Sequence, residues 1–337
     1  HCPLPTAHCP LPTAHCSPLT AHCSLLTAYC YNPSLLTKTT AAQLSKDALC
    51  GILLPITTPF HADGDVNLVG LRANIIKWNQ TSILGYVVLG STGERVHLDE
   101  SEYIQVVEAA RKEVAPEQLF IVGAGQQSTA NTIKEIKRVT SAAPLDAVLV
   151  ITPHFYRPSL TQTTLAEHYE HVADGSPVPL ILYSMPALTG VKIEPETAAR
   201  LSAHENIIGI KDSSPDVAGL EKTVKLVPDD FAVLTGNGTI LKEGLLAGAC
   251  GAILAVGCVA TSLCIEIFEA VKSGETNRAA ELQAKLSPLA AAVTTRFGIG
   301  GLKAALEMLG YTGGSVRAPL READDEARAE IRRCLAL

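Results

Sequence analysis

A lysine closing one apolar run, a tyrosine closing another and two adjacent hydroxyls on a short turn carry the chemistry that this chain suggests. Lys211 ends the stretch Asn206-Ile207-Ile208-Gly209-Ile210-Lys211-Asp212-Ser213-Ser214. An apolar stretch of that length, bounded by polar residues, reads as a fully buried strand. An ammonium at its end must be paired, reach solvent, or be kept partly neutral by desolvation. An ordinary lysine, with a reference pKa of about 10.4, is a poor nucleophile at pH 7. A desolvated lysine can instead form a Schiff base with a carbonyl substrate. The bland reading is a strand-end lysine whose stem packs while its amine reaches water. Gly90-Ser91-Thr92-Gly93 offers two hydroxyls and adjacent backbone N–H groups on a glycine-flanked turn, a receptor for a small carboxylate; the bland reading is a turn that satisfies only itself. Tyr183 ends another apolar run with a phenol able to shuttle a proton, or is an aromatic core residue with a local hydrogen bond.

The elements that must position these residues alternate regularly. From Gly51 onward, short apolar runs at Ile52–Ile56, Gly85–Leu89, Leu119–Val122, Ala147–Ile151, Val178–Tyr183, Ile207–Ile210, Ala232–Leu234 and Ala252–Val256 are separated by longer amphipathic segments. Ser101–Val114, Ala130–Thr140 and Pro195–Ser202 are examples. Eight such units predict a parallel sheet closed into a (β/α)8 TIM barrel. An open doubly wound sheet is the alternative, but no Gly-x-Gly-x-x-Gly turn follows the first run. The expected organisation is a low-complexity repeat and linker over residues 1–48, the barrel over 49–272 and a C-terminal helical extension over 273–337. Breaks are expected in that extension at Pro288, Gly298-Ile299-Gly300-Gly301 and Tyr311–Pro319. In a barrel the active site lies at the C-terminal ends of the strands, where Gly90–Glu94, Thr152-Pro153, Tyr183–Pro186, Lys211–Ser213 and Thr235–Asn237 all fall.

The chain has 337 residues, 47% of them hydrophobic and 18% charged, with a formal charge of −7. That is a globular composition, and without a long basic run it argues against nucleic acid as the main partner. Gly244–Ile265 is long and uncharged enough to suggest a membrane span, but its glycines and its place in the alternation fit a buried strand followed by a helix start. Near the N-terminus, His1-Cys2-Pro3-Leu4-Pro5-Thr6-Ala7 recurs at residues 8–14 and, altered, at 15–21 and 22–28. It matches no zinc spacing, and its prolines exclude a coiled coil. The unit CACTGCC, written three times and read in frame, encodes His-Cys-Pro-Leu-Pro-Thr-Ala. Residues 1–30 therefore read as a translated DNA repeat, expected to be disordered and dispensable, and consistent with a mis-assigned gene start or a truncated chain. Beyond it, Cys50, Cys250, Cys258, Cys264 and Cys334 suit reduced thiols of an intracellular protein, the cytoplasm being favoured and the mitochondrion the alternative.

Taken together, Pro55–Phe60, Gly90–Glu94, Tyr183-Ser184-Met185-Pro186 and Gly209–Ser213 resemble the pyruvate-dependent class I aldolases of the dihydrodipicolinate synthase and N-acetylneuraminate lyase superfamily. The likeness spans about Gly51 to Leu320. Val293–Ile299 and Arg317-Ala318-Pro319-Leu320 look most like 4-hydroxy-2-oxoglutarate aldolase. The resemblance implies Lys211 as Schiff-base lysine, Tyr183 as proton-shuttling phenol and Ser91 as relay hydroxyl. Ser91 and Thr92 would hold the pyruvate carboxylate, Gly236 and Ile253 would line the site through their backbone, and Ser213 would stand near the lysine. It also implies a 2-oxo acid substrate, no cofactor or metal, and a homo-oligomer, dimer or tetramer. Two positions depart from the pattern. Dihydrodipicolinate synthases carry an arginine two residues after the proline of Tyr-x-x-Pro, to hold the aspartate-semialdehyde carboxylate; here that position is Leu188, which cannot pair with a carboxylate. The inter-subunit relay tyrosine aligns with Phe155, with Tyr156 or His154 as substitutes.

The leading expectation is cleavage of a 4-hydroxy-2-oxo acid, 4-hydroxy-2-oxoglutarate to pyruvate and glyoxylate foremost. A 3-deoxy-hexulosonate aldolase is the near rival, followed by dihydrodipicolinate synthase and by a non-catalytic oxo-acid-binding protein. A metal-dependent aldolase is disfavoured, since the globular part shows no ligand cluster at metal spacing.

Overall fold

The computed structural model describes residue 44 and residues 46–335; the repeat of residues 1–30 lies outside the described residues. Eight strands form the barrel: β1 (Ile52–Pro55), β2 (Gly85–Val88), β3 (Leu119–Ala124), β4 (Ala147–Ile151), β5 (Leu180–Ser184), β6 (Ile207–Asp212), β7 (Ala232–Thr235) and β8 (Gly251–Ile253). They are joined in sequence order into a closed parallel barrel, β8 pairing with β1 through Leu53–Ile253. The continuous apolar runs are explained by burial on both faces. Leu53, Val87, Ile121, Leu149, Ile181, Leu234 and Ile253 fill the lumen. Their neighbours Leu54, Val88, Val122, Val150, Leu182 and Val233 point outward against the helices. Helices between the strands start at side-chain caps such as Asp99, whose carboxylate accepts from Glu102 N while Glu102 reaches back to the Asp99 N–H.

One expected break in the C-terminal extension, at Pro288, is corrected, and the one at Gly298–Gly301 is confined to its first residue. The helix Thr276–Ala291 runs through Pro288. The missing N–H costs one backbone bond, and Leu282, Leu286, Leu289 and Ala290 stay buried around it. The chain then passes through a wider turn, Ala292–Arg296, and Gly298 turns with a φ of 58° into the helix Gly298–Met308. Gly300 and Gly301 lie inside that helix. A Cβ on Gly300 would stand 2.2 Å from the Arg321 carbonyl, so this glycine permits close packing rather than a chain break. The Tyr311–Pro319 stretch is indeed non-helical, and Asp325–Cys334 forms the last helix.

This extension is latched to the barrel mouth. Arg317 donates to the Gly64 and His97 carbonyls and to both carboxylate oxygens of Glu102. Among the described residues, no helix is long and apolar enough to cross a membrane. The five described cysteines are unpaired, with Cys258 and Cys264 buried.

Candidate active site

The register of β6 decides where Lys211 points. Ile207 faces outward and Ile208 packs on the lumen cluster, so strict alternation would turn residue 211 outward. The pairing of β5 with β6 shifts between Leu180 and Ile181, whose partners are Ile207 and Gly209. This irregularity resets the parity at Gly209, and Lys211 lies between its lumen-facing partners Tyr183 and Leu234. There the lysine is only 4% exposed, with Nζ 4.2 Å from the centre of the Tyr183 ring. The Tyr183 hydroxyl is 2.9 Å from Ser91 Oγ, joining the end of β5 to the turn after β2.

That turn is a 3-10 segment, Ser91–Gly93. Its glycines do not supply the left-handed backbone. Leu89 and Glu94 do, with φ of 56° and 53°. Non-glycine residues held there store strain that surrounding contacts must balance. For Glu94 those contacts are visible. Its Oε1 lies 2.6 Å from Lys303 Nζ, with side chains 1% and 2% exposed, and Oε2 accepts from Arg317 N at 3.0 Å. Burial holds the Lys303 ammonium below its usual range, opposed by Glu94. Thr58 Oγ1 donates to the Gly93 carbonyl at 2.7 Å. The N–H groups of Gly93 and Glu94 close the turn onto Gly90 and Ser91. The groups available to a carboxylate are thus those of Ser91 and Thr92, the latter buried at the lumen edge.

Beyond β7, Gly236 N donates to the Asp212 carbonyl at 2.6 Å, drawing the two strand ends together. A Cβ on Gly236 would fall 2.0 Å from Ser213 Oγ and 2.7 Å from Lys211 Cε, so Ser213 and the lysine stem both lie on the bare Gly236 backbone. Asp212 is buried, which raises its carboxyl above the ordinary range, while its Oδ1 accepts from Ser214 N at 2.8 Å. Ile253 is fully buried in the lumen cluster that also holds Tyr183. The structure thus gathers Lys211, Tyr183, Ser91, Thr92, Ser213 and Gly236 at the C-terminal mouth, with Ile253 in the lumen.

The departures behave differently. Phe155 is 72% and Tyr156 70% exposed, ring edge to ring face at 5.0 Å. His154 contacts Gln127 and the Thr152 carbonyl. Within one chain, the hydroxyl partner of Tyr183 among the described residues is Ser91. Leu188 is 63% exposed. Sequence reasoning missed Thr58, the Glu94–Lys303 pair and Asp212. Glu94 stood inside the quoted motif, but nothing local marks its left-handed backbone or a partner far along the chain. Among the described residues, no group of three or more His, Cys, Asp or Glu is placed to hold a metal ion.

The model of the dihydrodipicolinate synthetase family matches residues 48–337. A 4-hydroxy-tetrahydrodipicolinate synthase of Methanothrix thermoacetophila is 35% identical over 283 residues, covering 84% of this chain and 94% of the relative. A DapA-like lyase of Halobacterium salinarum is 34% identical over 290 residues, covering 86% and 93%. Dihydrodipicolinate synthase of Thermotoga maritima superposes with a TM-score of 0.81 at 31% identity, covering 86% and 98%. A prophage protein of the same family from E. coli K12, solved in complex with pyruvate, gives 0.79 at 29% identity, covering 85% and 97%. The chain belongs to the dihydrodipicolinate synthetase family, and with it to the enzymes that make and break carbon–carbon bonds.

Proposed function

We propose that this chain is a Schiff-base aldolase that cleaves a 4-hydroxy-2-oxo acid, with 4-hydroxy-2-oxoglutarate, giving pyruvate and glyoxylate, as the best candidate. The observation that carries the reading is the buried Lys211 amine over the Tyr183 ring, with the Tyr183 hydroxyl on Ser91. In this mechanism Lys211 Nζ adds to the C2 carbonyl and water leaves, giving a protonated imine. Ser91 and Thr92 hold the C1 carboxylate. Tyr183 takes the proton of the C4 hydroxyl as the C3–C4 bond breaks. The bond's electron pair passes into the imine, forming an enamine, and the C4 fragment departs as an aldehyde. Proton return to C3 and hydrolysis of the imine release pyruvate and regenerate the lysine. Each step needs the amine, phenol and carboxylate site held together, which is the advantage of placing them on a rigid barrel rim.

A second reading, condensation of pyruvate with aspartate semialdehyde, is favoured by the name of the Methanothrix relative. Leu188 weighs against it, since a leucine side chain offers no charge to the second substrate's carboxylate. Borohydride reduction in the presence of pyruvate tests the shared step. A covalent three-carbon adduct on Lys211 is expected, and an unmodified chain would remove both readings. Side-by-side assay of cleavage and condensation then separates them.

A further inference from the structure

The aldolase reading carries a requirement of its own. The distal carboxylate of 4-hydroxy-2-oxoglutarate also needs a partner, and Leu188 cannot supply it. The cations near the mouth can be sorted by what already neutralises them. Arg95 is bound to Glu135 and donates to the Gly125 carbonyl, both within a half-buried cluster. Lys192 is 2.8 Å from Asp216 and 3.7 Å from Glu194. Lys242 is 3.0 Å from Glu243. Arg317 is held by Glu102 and two carbonyls. Arg157 differs from all of these: among the described residues it has no carboxylate within ion-pair distance and is exposed.

The position of Arg157 is set by a contact with the turn after β5. It stands on the segment following β4, whose last residue Ile151 pairs with Tyr183. Its guanidinium lies against Gly190, at the end of the short helix Pro186–Thr189 that begins two residues after β5. A Cβ on Gly190 would fall 2.5 Å from Arg157 Nη1 and 3.0 Å from its Cδ, and the φ of 66° at this position also favours glycine. Thr152 Oγ1 donates to Thr189 Oγ1 at 3.2 Å and fixes the two loops to each other. The guanidinium therefore rests on the loop that carries Leu188, on the same rim as Tyr183.

Resting on the aldolase reading, we infer that Arg157 is the specificity-determining cation of the site, binding the distal carboxylate of a dicarboxylic 4-hydroxy-2-oxo acid. A planar guanidinium can meet that carboxylate with two parallel N–H donors. This assigns the substrate class as dicarboxylate and places polyhydroxylated 3-deoxy-hexulosonates, which lack the second carboxylate, second.

The test compares 4-hydroxy-2-oxoglutarate with 4-hydroxy-2-oxopentanoate, in which a methyl group replaces the distal carboxylate, for the parent chain, Arg157→Gln and Arg157→Lys. For Arg157→Gln, kcat/KM on the dicarboxylate should fall about tenfold to a hundredfold, mostly through KM. Cleavage of the methyl analogue and borohydride trapping of pyruvate should change by less than about threefold, and Arg157→Lys should recover part of the loss. A purely structural role would lower both substrates in parallel. That result, an unchanged dicarboxylate rate, or a parent chain that prefers a 3-deoxy-hexulosonate would each overturn the inference alone. A parent chain that cleaves none of these substrates would overturn the aldolase reading together with it.

Discussion

Adding one methyl group to Gly236 tests the geometry of the proposed site more sharply than removing any functional group. The built Cβ falls 2.0 Å from Ser213 Oγ and 2.7 Å from Lys211 Cε. Ordinary contact is about 3.5 Å, so the shortfalls are roughly 1.5 Å and 0.8 Å. Gly236 cannot retreat freely, because its N–H is tied to the Asp212 carbonyl at 2.6 Å. Its φ lies outside the left-handed region, so Gly236→Ala adds a steric push without added backbone strain. A displacement of about 1 Å at a reacting group costs on the order of a hundredfold in rate. Gly236→Ala should therefore lower kcat for aldol cleavage by about that factor, with slow but complete pyruvate trapping. The melting temperature should fall by only a few degrees, since the push is met by two movable side chains. Adding Ser213→Gly removes the nearest obstruction, and the double variant should regain part of the rate. Parent-like turnover in Gly236→Ala would show that Lys211 does not work from the position described here. A loss of fold would be separated from a loss of geometry by circular dichroism on the same sample.

Further outcomes follow from the same contacts. Lys211→Arg keeps the charge but cannot form the imine, so turnover should vanish while the fold remains; activity within tenfold of the parent would end the Schiff-base mechanism. Lys303→Met strands the Glu94 carboxylate in a site where it is 1% exposed. Breaking such a pair costs roughly 3–5 kcal/mol, or about 5–8 °C in Tm for a domain of this size, and Glu94→Gln in the same chain should restore part of it. A scan of each variant decides, and a shift under about 2 °C would contradict the reading of this pair. Burial lowers the His168 imidazole to about pKa 4. The unfolded chain then holds more protons than the folded one between about pH 6.5 and pH 4, so stability is lost as pH falls through that window. The contribution is on the order of 2 kcal/mol between pH 7 and pH 5, and His168→Gln should flatten the urea-midpoint profile by that amount. Deleting residues 1–30 should leave activity and Tm unchanged, since the repeat has no apolar period with which to dock; a marked drop in either would refute this.

The sequence by itself determined the barrel, because a strand buried on both faces must be an unbroken apolar run and eight such runs alternate with amphipathic helices. It also placed Lys211, Tyr183 and Ser91 at strand ends, because a polar residue is what terminates such a run. Pro288 and Gly300 misled for a related reason. Local propensity disfavours both in a helix, but packing around Leu286 and against Arg321 outweighs a preference of a few kcal/mol at most. The left-handed backbone at Leu89 and Glu94 was likewise invisible, being held by partners such as Lys303 that only the fold brings near. The decisive case is Lys211. Counting alternate residues from Ile208 turns its amine out of the lumen, toward the helices. Only the register shift between β5 and β6, absorbed at Gly209, turns it inward beside Tyr183. Alternation is a property of one strand, whereas the side of the barrel that a side chain faces depends on how two strands pair. Pairing is decided by contacts between residues far apart in the chain.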